Sequence, residues 1–158
     1  MTSKGAKGMK LKHLVLGTML STLALGATAS TVFEEPSDAI EYRQAAFSMI
    51  RVQIGDMGDM LKGKVPFDAE RFQMRANNAA ALSKMPWEAF VAGSDKGETS
   101  ALPAVWNDND TFMKKAVAFQ QYADELAVAA KSGDQKVIGK AFGAWAKGCK
   151  DCHKSFKD

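Results

Sequence analysis

Apolar residues recur at intervals of three and four along most of this chain, and this spacing limits what it can fold into. The spacing places apolar side chains on one face of an α-helix. Four segments show it, over residues 36–62, 68–85, 107–131 and 134–156. No segment alternates with period two for long enough to predict a strand. The 158 residues suffice for one domain, so the sequence predicts an all-α, antiparallel four-helix bundle.

The ends of these segments carry the residues that usually begin and end helices. Pro36 suits a first helical turn, and Asp68 and Asp134 suit N-caps, while Gly63 suits the position just after a helix. Residues 87–105 lack helical spacing and are rich in Gly, Ser and Pro, which predicts a long crossover loop. Loops of this length are uncommon unless they have a function.

The N-terminus has the order of a secretory signal peptide. Residues 1–13 hold four lysines and no acid, residues 14–25 are apolar, and Ala27-Thr28-Ala29 resembles a cleavage site. We therefore expect residues 1–29 to be removed near Ala29, leaving 30–158 as the mature domain. An uncleaved membrane anchor is the alternative, although the apolar run is short for a span of about 20 residues.

Removal of the signal peptide changes the charge of the chain. Lys and Arg fall from 21 to 17 because four lysines leave, while the 18 acidic residues stay, so the mature charge is near −1. The basic character belongs to the signal peptide, and we expect neither a nucleic-acid partner nor stable membrane association. The mature part keeps one histidine and two cysteines, all within residues 149–153.

Cys149-Lys150-Asp151-Cys152-His153 has the C-x-x-C-H spacing that attaches c-type haem. On a helix the two cysteines share a face, where their sulfurs can bond the porphyrin edge, and His153 is placed to ligate the iron. We therefore predict one covalent haem c. The alternatives are a redox-active pair, a zinc site or a disulfide. A redox-active pair usually lies where a strand meets a helix, and a zinc site needs four ligands. A disulfide between residues one helical turn apart has an unfavourable geometry.

The sixth iron position decides what such a haem does. Arg43 and Phe47 lie four residues apart on the apolar face of the first segment. Buried charge needs a partner, so Arg43 either binds a haem propionate or extends to solvent at the bundle end. Phe47 would then lie over the porphyrin, and it cannot ligate iron, which predicts five-coordinate iron. A six-coordinate His/Met pair is the alternative, using one of the mature methionines, Met49, Met57, Met60, Met74, Met85 or Met113.

On these motifs the chain resembles cytochrome c′, the class II c-type cytochromes. The matching features are the C-terminal C-x-x-C-H, Arg43-Gln44-x-x-Phe47, residues 86–90 and Val105-Trp106 opening the third helix. The resemblance implies a four-helix bundle with haem near one end, in the periplasm, often as a homodimer. Val52, Met57 and Met60 could line a dimer contact, or belong to the core.

The resemblance also implies roles for single residues. Arg43 and Gln44 match haem contacts, Phe47 matches the bulky distal residue, and Trp87 matches an aromatic near the haem. Two loop residues match a region that approaches a propionate, namely Thr99 and Ser100. Lys157 departs from the family pattern, which has arginine there, and lysine lacks the planar fork of arginine. This departure puts gas chemistry on the proximal side in question.

The expected functions are electron transfer with a periplasmic redox partner protein and binding of diatomic gases, above all nitric oxide. A purely electron-carrying, six-coordinate low-spin cytochrome is the alternative. We do not expect an enzyme, because peroxidase chemistry needs a distal acid–base group, usually histidine, and the mature chain has no second one.

Overall fold

The computed structural model describes Met1 and residues 32–158. The predicted signal peptide and its cleavage site therefore lie outside the described residues, apart from Met1. The helices are α1 (Pro36–Leu61), α2 (Ala69–Leu82), α3 (Ala104–Asn107), α4 (Asn109–Ala130) and α5 (Gln135–Phe156).

The four long helices pack as an antiparallel bundle, which confirms the predicted fold class. α1 packs against α2, α2 against α4, and α4 against α5. Within residues 32–158 there is no strand, and no helix is long and apolar enough to cross a membrane. The largest side chains without solvent exposure in the shared core are Trp145, Phe72, Met57, Leu126 and Ile138.

The three residues of α1 that the sequence suggests for a dimer contact, Val52, Met57 and Met60, differ in their exposure. Met57 and Met60 are buried in the bundle core, whereas the Val52 side chain is 57% exposed. The two methionines therefore belong to the core and are not available to a second copy of the chain.

The predicted helix ends hold at three positions. The Asp68 carboxylate accepts from the Arg71 backbone N–H at 3.0 Å, and Asp134 accepts from the Lys136 N–H at 2.8 Å. Both therefore act as N-caps. Gly63 follows α1 with a φ of 69°, the left-handed conformation that glycine adopts without strain.

The crossover contains more helix than its composition predicts. Residues Pro86–Ala89 form a 3-10 helix, and α2 ends at Leu82 rather than at residue 85. The sequence predicts that Val105 and Trp106 open the third long helix, but they lie in α3, a separate helical turn. The break is at Asp108, whose φ of −126° and ψ of 52° leave the helical region. Asp favours such helix ends over helix interiors.

The end of the crossover is fastened to the end of α5. The Leu102 N–H donates to the Phe156 carbonyl at 3.0 Å, and the Asp158 N–H donates to the Ser100 carbonyl at 2.9 Å. Ala101 and Lys157 form an antiparallel bridge between these two bonds. This pairing holds the loop beside the turn that carries Cys152 and His153.

A charged cluster joins α1 to α2. Asp56 accepts hydrogen bonds from Arg71 Nε at 2.9 Å and Arg75 Nε at 2.7 Å, and Arg71 Nη2 also donates to it. Arg75 reaches Gln53 Oε1 at 3.3 Å. The hydrogen bond from Arg71 is the main reason that the pKa of Asp56 lies below its usual value, against a smaller effect of burial.

Asp56→Asn is expected to destabilise the folded holoprotein at pH 7 by about 1–2 kcal/mol, because a charged acceptor of three hydrogen bonds is lost. Since the pKa of Asp56 is lower in the folded state, its contribution is complete above its unfolded pKa of about 3.9 and is lost as pH falls through the folded pKa. Thermal unfolding by circular dichroism at pH 7 and at a series of lower pH values measures this. The two proteins should differ at pH 7, and the gap should begin to narrow as the pH falls below about 3.9, so a gap of constant size through the acid range would contradict the assignment.

Candidate functional site

The last turns of α5 bring the two cysteines and the histidine together. Cys149 and Cys152 are half-buried free thiols, and His153 is exposed. Burial raises the pKa of Cys149 to about 11 and also raises the pKa of Cys152. Partial burial of the ring, followed by the charge of Lys157, lowers the pKa of His153, and this favours the neutral imidazole near pH 7. A neutral imidazole is the form that binds a metal ion.

These three residues open onto a cavity of about 500 Å³. Helices α1, α4 and α5 and the crossover all contribute to its wall. The structure brings together all nine residues singled out from the sequence, and each of them lines this cavity: Arg43, Gln44, Phe47, Trp87, Thr99, Ser100, Cys149, Cys152 and His153. Their individual roles toward a haem stay predictions.

One wall of the cavity is aromatic and centred on Trp87. Its ring lies 5.8 Å from Phe47, 5.7 Å from Phe112 and 6.1 Å from Phe119, in edge-to-face contacts. The indole Nε1 donates to the Ser83 carbonyl at 2.6 Å, so the polar atom of Trp87 is already bonded. The wall therefore offers apolar ring surface, which suits a flat, largely apolar cofactor.

Arg43 is 2% exposed and holds the crossover loop from within. Its Nη1 donates to the Ala89 carbonyl at 2.9 Å and to Ser94 Oγ at 2.7 Å. Its Nη2 donates to the Ser94 carbonyl at 2.7 Å and to Thr99 Oγ1 at 2.8 Å, and Phe90 lies under the guanidinium. Burial lowers the pKa of Arg43. The hypothesis that Arg43 extends to solvent is therefore wrong.

Arg43 has no carboxylate partner within residues 32–158, so its charge is balanced only by neutral oxygen atoms and aromatic faces. A buried arginine is usually paired with an anion. The chain thus presents a buried positive charge at the cavity wall, which fits a cofactor that carries carboxylates. Whether a propionate meets Arg43 stays a prediction.

Gln44 of α1 and Thr99 of the loop also use their polar side-chain atoms within the protein. Gln44 Nε2 donates to the Glu98 carbonyl at 2.7 Å, and Thr99 Oγ1 accepts from the Ala101 N–H at 3.1 Å. The Ser100 side chain is exposed. The predicted haem contact of Gln44 and the predicted propionate contact of Thr99 therefore compete with hydrogen bonds that shape the loop.

Several further residues line the cavity. The spacing of α1 places Arg51 four residues after Phe47, on the same face, but a charged residue in that position does not by itself indicate a site. Phe90 follows the Pro86–Ala89 turn, and only the fold shows that its ring faces the cavity. Phe112 and Phe119 are core positions by their spacing and serve as both core and cavity wall.

The model of the protein family described as Cytochrome C′ matches residues 38–157. The chain belongs to the cytochrome c′ family. A cytochrome c′ of Rubrivivax gelatinosus is 43% identical over 80% of this chain and 98% of its own. The solved cytochrome c prime of Shewanella frigidimarina is 60% identical, with a TM-score of 0.78 over 80% of this chain and 98% of its own.

A third relative bears on ligands. The nitric oxide complex of a leucine-to-alanine mutant of cytochrome c prime from Alcaligenes xylosoxidans is 35% identical, with a TM-score of 0.75. It covers 80% of this chain and 98% of its own. Nitric oxide thus binds to a member of the family with the same overall structure.

As a cytochrome c′, the protein carries one covalent c-type haem, and its residues fit that group. Two free sulfurs and a neutral imidazole lie on successive turns that line one cavity. Cys149 and Cys152 would hold the porphyrin by thioether bonds, and His153 would ligate the iron. Bound there, the haem supplies a one-electron couple and an iron centre for small ligands.

Proposed function

We propose that this cytochrome c′ is a periplasmic protein with five-coordinate iron that transfers electrons and binds nitric oxide. The observation that carries the proposal is the composition of the cavity wall. Among its lining residues in the described chain there is no methionine. Met57 and Met60 are buried in the bundle core, and the other four mature methionines are exposed, namely Met49, Met74, Met85 and Met113. This favours a vacant sixth position over a His/Met pair.

The wall also favours particular ligands. Phe47, at the edge of Trp87, fills space on the α1 side without a hydrogen-bond donor or an iron ligand. A crowded apolar face disfavours dioxygen, which gains from a donor, more than nitric oxide or carbon monoxide. The nitric oxide complex of the Alcaligenes relative supports the same choice of ligand for this protein.

Absorption spectra of the mature holoprotein test the coordination. We expect the ferric protein to be high-spin at pH 7 and the ferrous protein to bind nitric oxide stoichiometrically. Acid–acetone extraction should leave the pigment on the chain, which controls for covalent attachment. A six-coordinate, low-spin ferric spectrum would overturn the five-coordinate proposal in favour of the His/Met electron carrier.

The proposal also includes export to the periplasm and a role that is not enzymatic. The lysine-rich start, the apolar run and Ala27-Thr28-Ala29 support a signal peptide and a periplasmic mature protein. His153, the predicted iron ligand, is the only histidine among the cavity-lining residues of the described chain, so that wall offers no second histidine as the distal acid–base group of a peroxidase. We accordingly propose a carrier and gas-binding role rather than an enzymatic one.

A further inference from the structure

Charge is unevenly distributed along the mature chain. Residues 135–158 hold six lysines and two acids, whereas residues 32–134 hold 11 basic and 16 acidic residues. The helix that carries the haem-binding motif is therefore strongly basic within a protein of net charge near −1. Such a separation of charge orients a charged partner as it approaches.

The excess lysines lie around the motif itself. Lys147, Lys150, Lys154 and Lys157 are spaced by three and four residues, so they share one face of α5. The side chains of Lys147 and Lys154 are 77% and 76% exposed, and Lys157 lines the cavity. This face adjoins His153, which is also exposed.

Neighbouring helices add to the same charge. Arg51 of α1 lines the cavity, bonds Ser48 Oγ at 3.3 Å and makes no ion pair within residues 32–158. Lys115 of α4 donates to the Asp151 carbonyl at 3.0 Å. We call the whole set the basic rim, and its members are Arg51, Lys115, Lys147, Lys150, Lys154 and Lys157.

Acidic side chains also lie near the basic rim. The Asp151 carboxylate lies 3.1 Å from Lys147 Nζ and 3.8 Å from Lys154 Nζ. Asp158 follows Lys157 directly, and Glu98 adjoins Thr99, which also lines the cavity. These groups reduce the charge of the rim but do not cancel it.

We propose that the basic rim is the docking surface for an acidic electron-transfer protein. The inference rests on the proposed electron-transfer function. Two members of the rim, Arg51 and Lys157, line the cofactor cavity, and the lysine face of α5 adjoins the exposed His153, so a partner bound on the rim would lie beside the cofactor. The positive charge of the rim complements an acidic face. A long polyanion such as nucleic acid fits less well, because the rest of the chain is acidic and would repel it.

The step itself is a one-electron exchange. A reduced partner gives one electron to the ferric iron, which becomes ferrous, while the partner's own centre is oxidised by one electron. No bond forms or breaks and no proton is required.

The test uses two reductants on the ferric holoprotein in stopped flow. Reduced plant-type ferredoxin is the acidic protein probe, and photoreduced lumiflavin is a small neutral one. At an ionic strength of about 0.1 M, Lys150→Glu/Lys154→Glu should slow reduction by ferredoxin about fivefold and leave the lumiflavin rate unchanged. Lys150→Gln/Lys154→Gln should give a smaller slowing in the same direction.

Lys136→Glu/Lys140→Glu is the matched control. It makes the same charge change on exposed lysines of the same helix, with Lys140 about 15 Å from Lys150 along the axis. That distance exceeds the screening length of about 10 Å at 0.1 M salt, so the ferredoxin rate should stay near that of the unchanged protein.

The possible outcomes distinguish failure of the docking surface from failure of the electron-transfer function. Equal slowing by both glutamate pairs, or none by either, would overturn the docking surface while the lumiflavin reaction still showed a functional haem. Failure of both reductants to reduce the unchanged holoprotein would instead overturn the electron-transfer function.

Discussion

Phe47→Ala is expected to accelerate carbon monoxide binding to the ferrous protein by roughly 30-fold, which corresponds to about 2 kcal/mol in the activation barrier. The Phe47 ring lines the cavity from α1 and contacts the edge of Trp87 at 5.8 Å. Removing it opens space on the α1 side of the cavity, whereas His153 lines the cavity from α5. Carbon monoxide needs no hydrogen-bond donor, so its rate reports access alone. Flash photolysis of the holoprotein measures the rate.

Phe142→Ala separates access from a general loss of packing. Phe142 is also half-buried and contacts a tryptophan ring, that of Trp145 at 6.3 Å, but it does not line the cavity. Both variants should lower the stability, because both leave a cavity in the same core. Only Phe47→Ala should change the carbon monoxide rate. Equal acceleration of carbon monoxide binding in the two variants would show that the Phe47 side chain does not restrict ligand access to the iron.

Most of the bundle could be predicted because its helices are determined by local patterns. Apolar spacing places the four long segments, and Asp68, Asp134 and Gly63 mark ends that depend on a few neighbouring atoms. The break at Asp108 was not predictable in this way. It depends on how the Val105–Trp106 turn packs beneath the crossover, which is a tertiary contact.

The site was predictable where its chemistry depends on sequence spacing. Cys149, Cys152 and His153 are close along one helix, so their meeting follows from the helical repeat. The partners of Arg43 could not be predicted, because Ser94 and Thr99 are about fifty residues away and glycine-rich loop geometry brings them in. Gly93 and Gly97 have positive φ values there, of 84° and 100°.

The hydrogen bonds of Arg43 show that α1 fixes the position of the crossover loop as well as lining the cavity. One guanidinium connects α1 to the 3-10 helix and to both ends of the loop between Ser94 and Thr99. The pairing of Ser100 and Leu102 with the end of α5 secures the rest of that loop. The crossover is therefore fastened on both sides of the cavity, although its composition is that of a surface loop.

Arg43→Leu is expected to reduce the free energy of unfolding by about 3 kcal/mol, because four hydrogen bonds are lost and buried acceptors are left without partners. Urea unfolding of the holoprotein measures this as a lower midpoint. The midpoint reduction potential should also fall, because a positive charge in the cavity wall disfavours the ferric state. Ser94→Ala should cost about 1 kcal/mol, since it removes one of the hydroxyl acceptors and leaves the charge in place.

Arg51→Leu provides the comparison for Arg43→Leu. Arg51 has the same charge, lies on the same helix and lines the same cavity, but it is exposed and bonds only the Ser48 hydroxyl among the described side chains. Its replacement should change the stability by less than about 0.5 kcal/mol. If Arg43→Leu lowered the potential while its unfolding midpoint matched that of Arg51→Leu, Arg43 would serve the cofactor and not the loop. A large loss of stability that Ser94→Ala reproduces in part would instead establish Arg43 as the residue that positions the cavity wall.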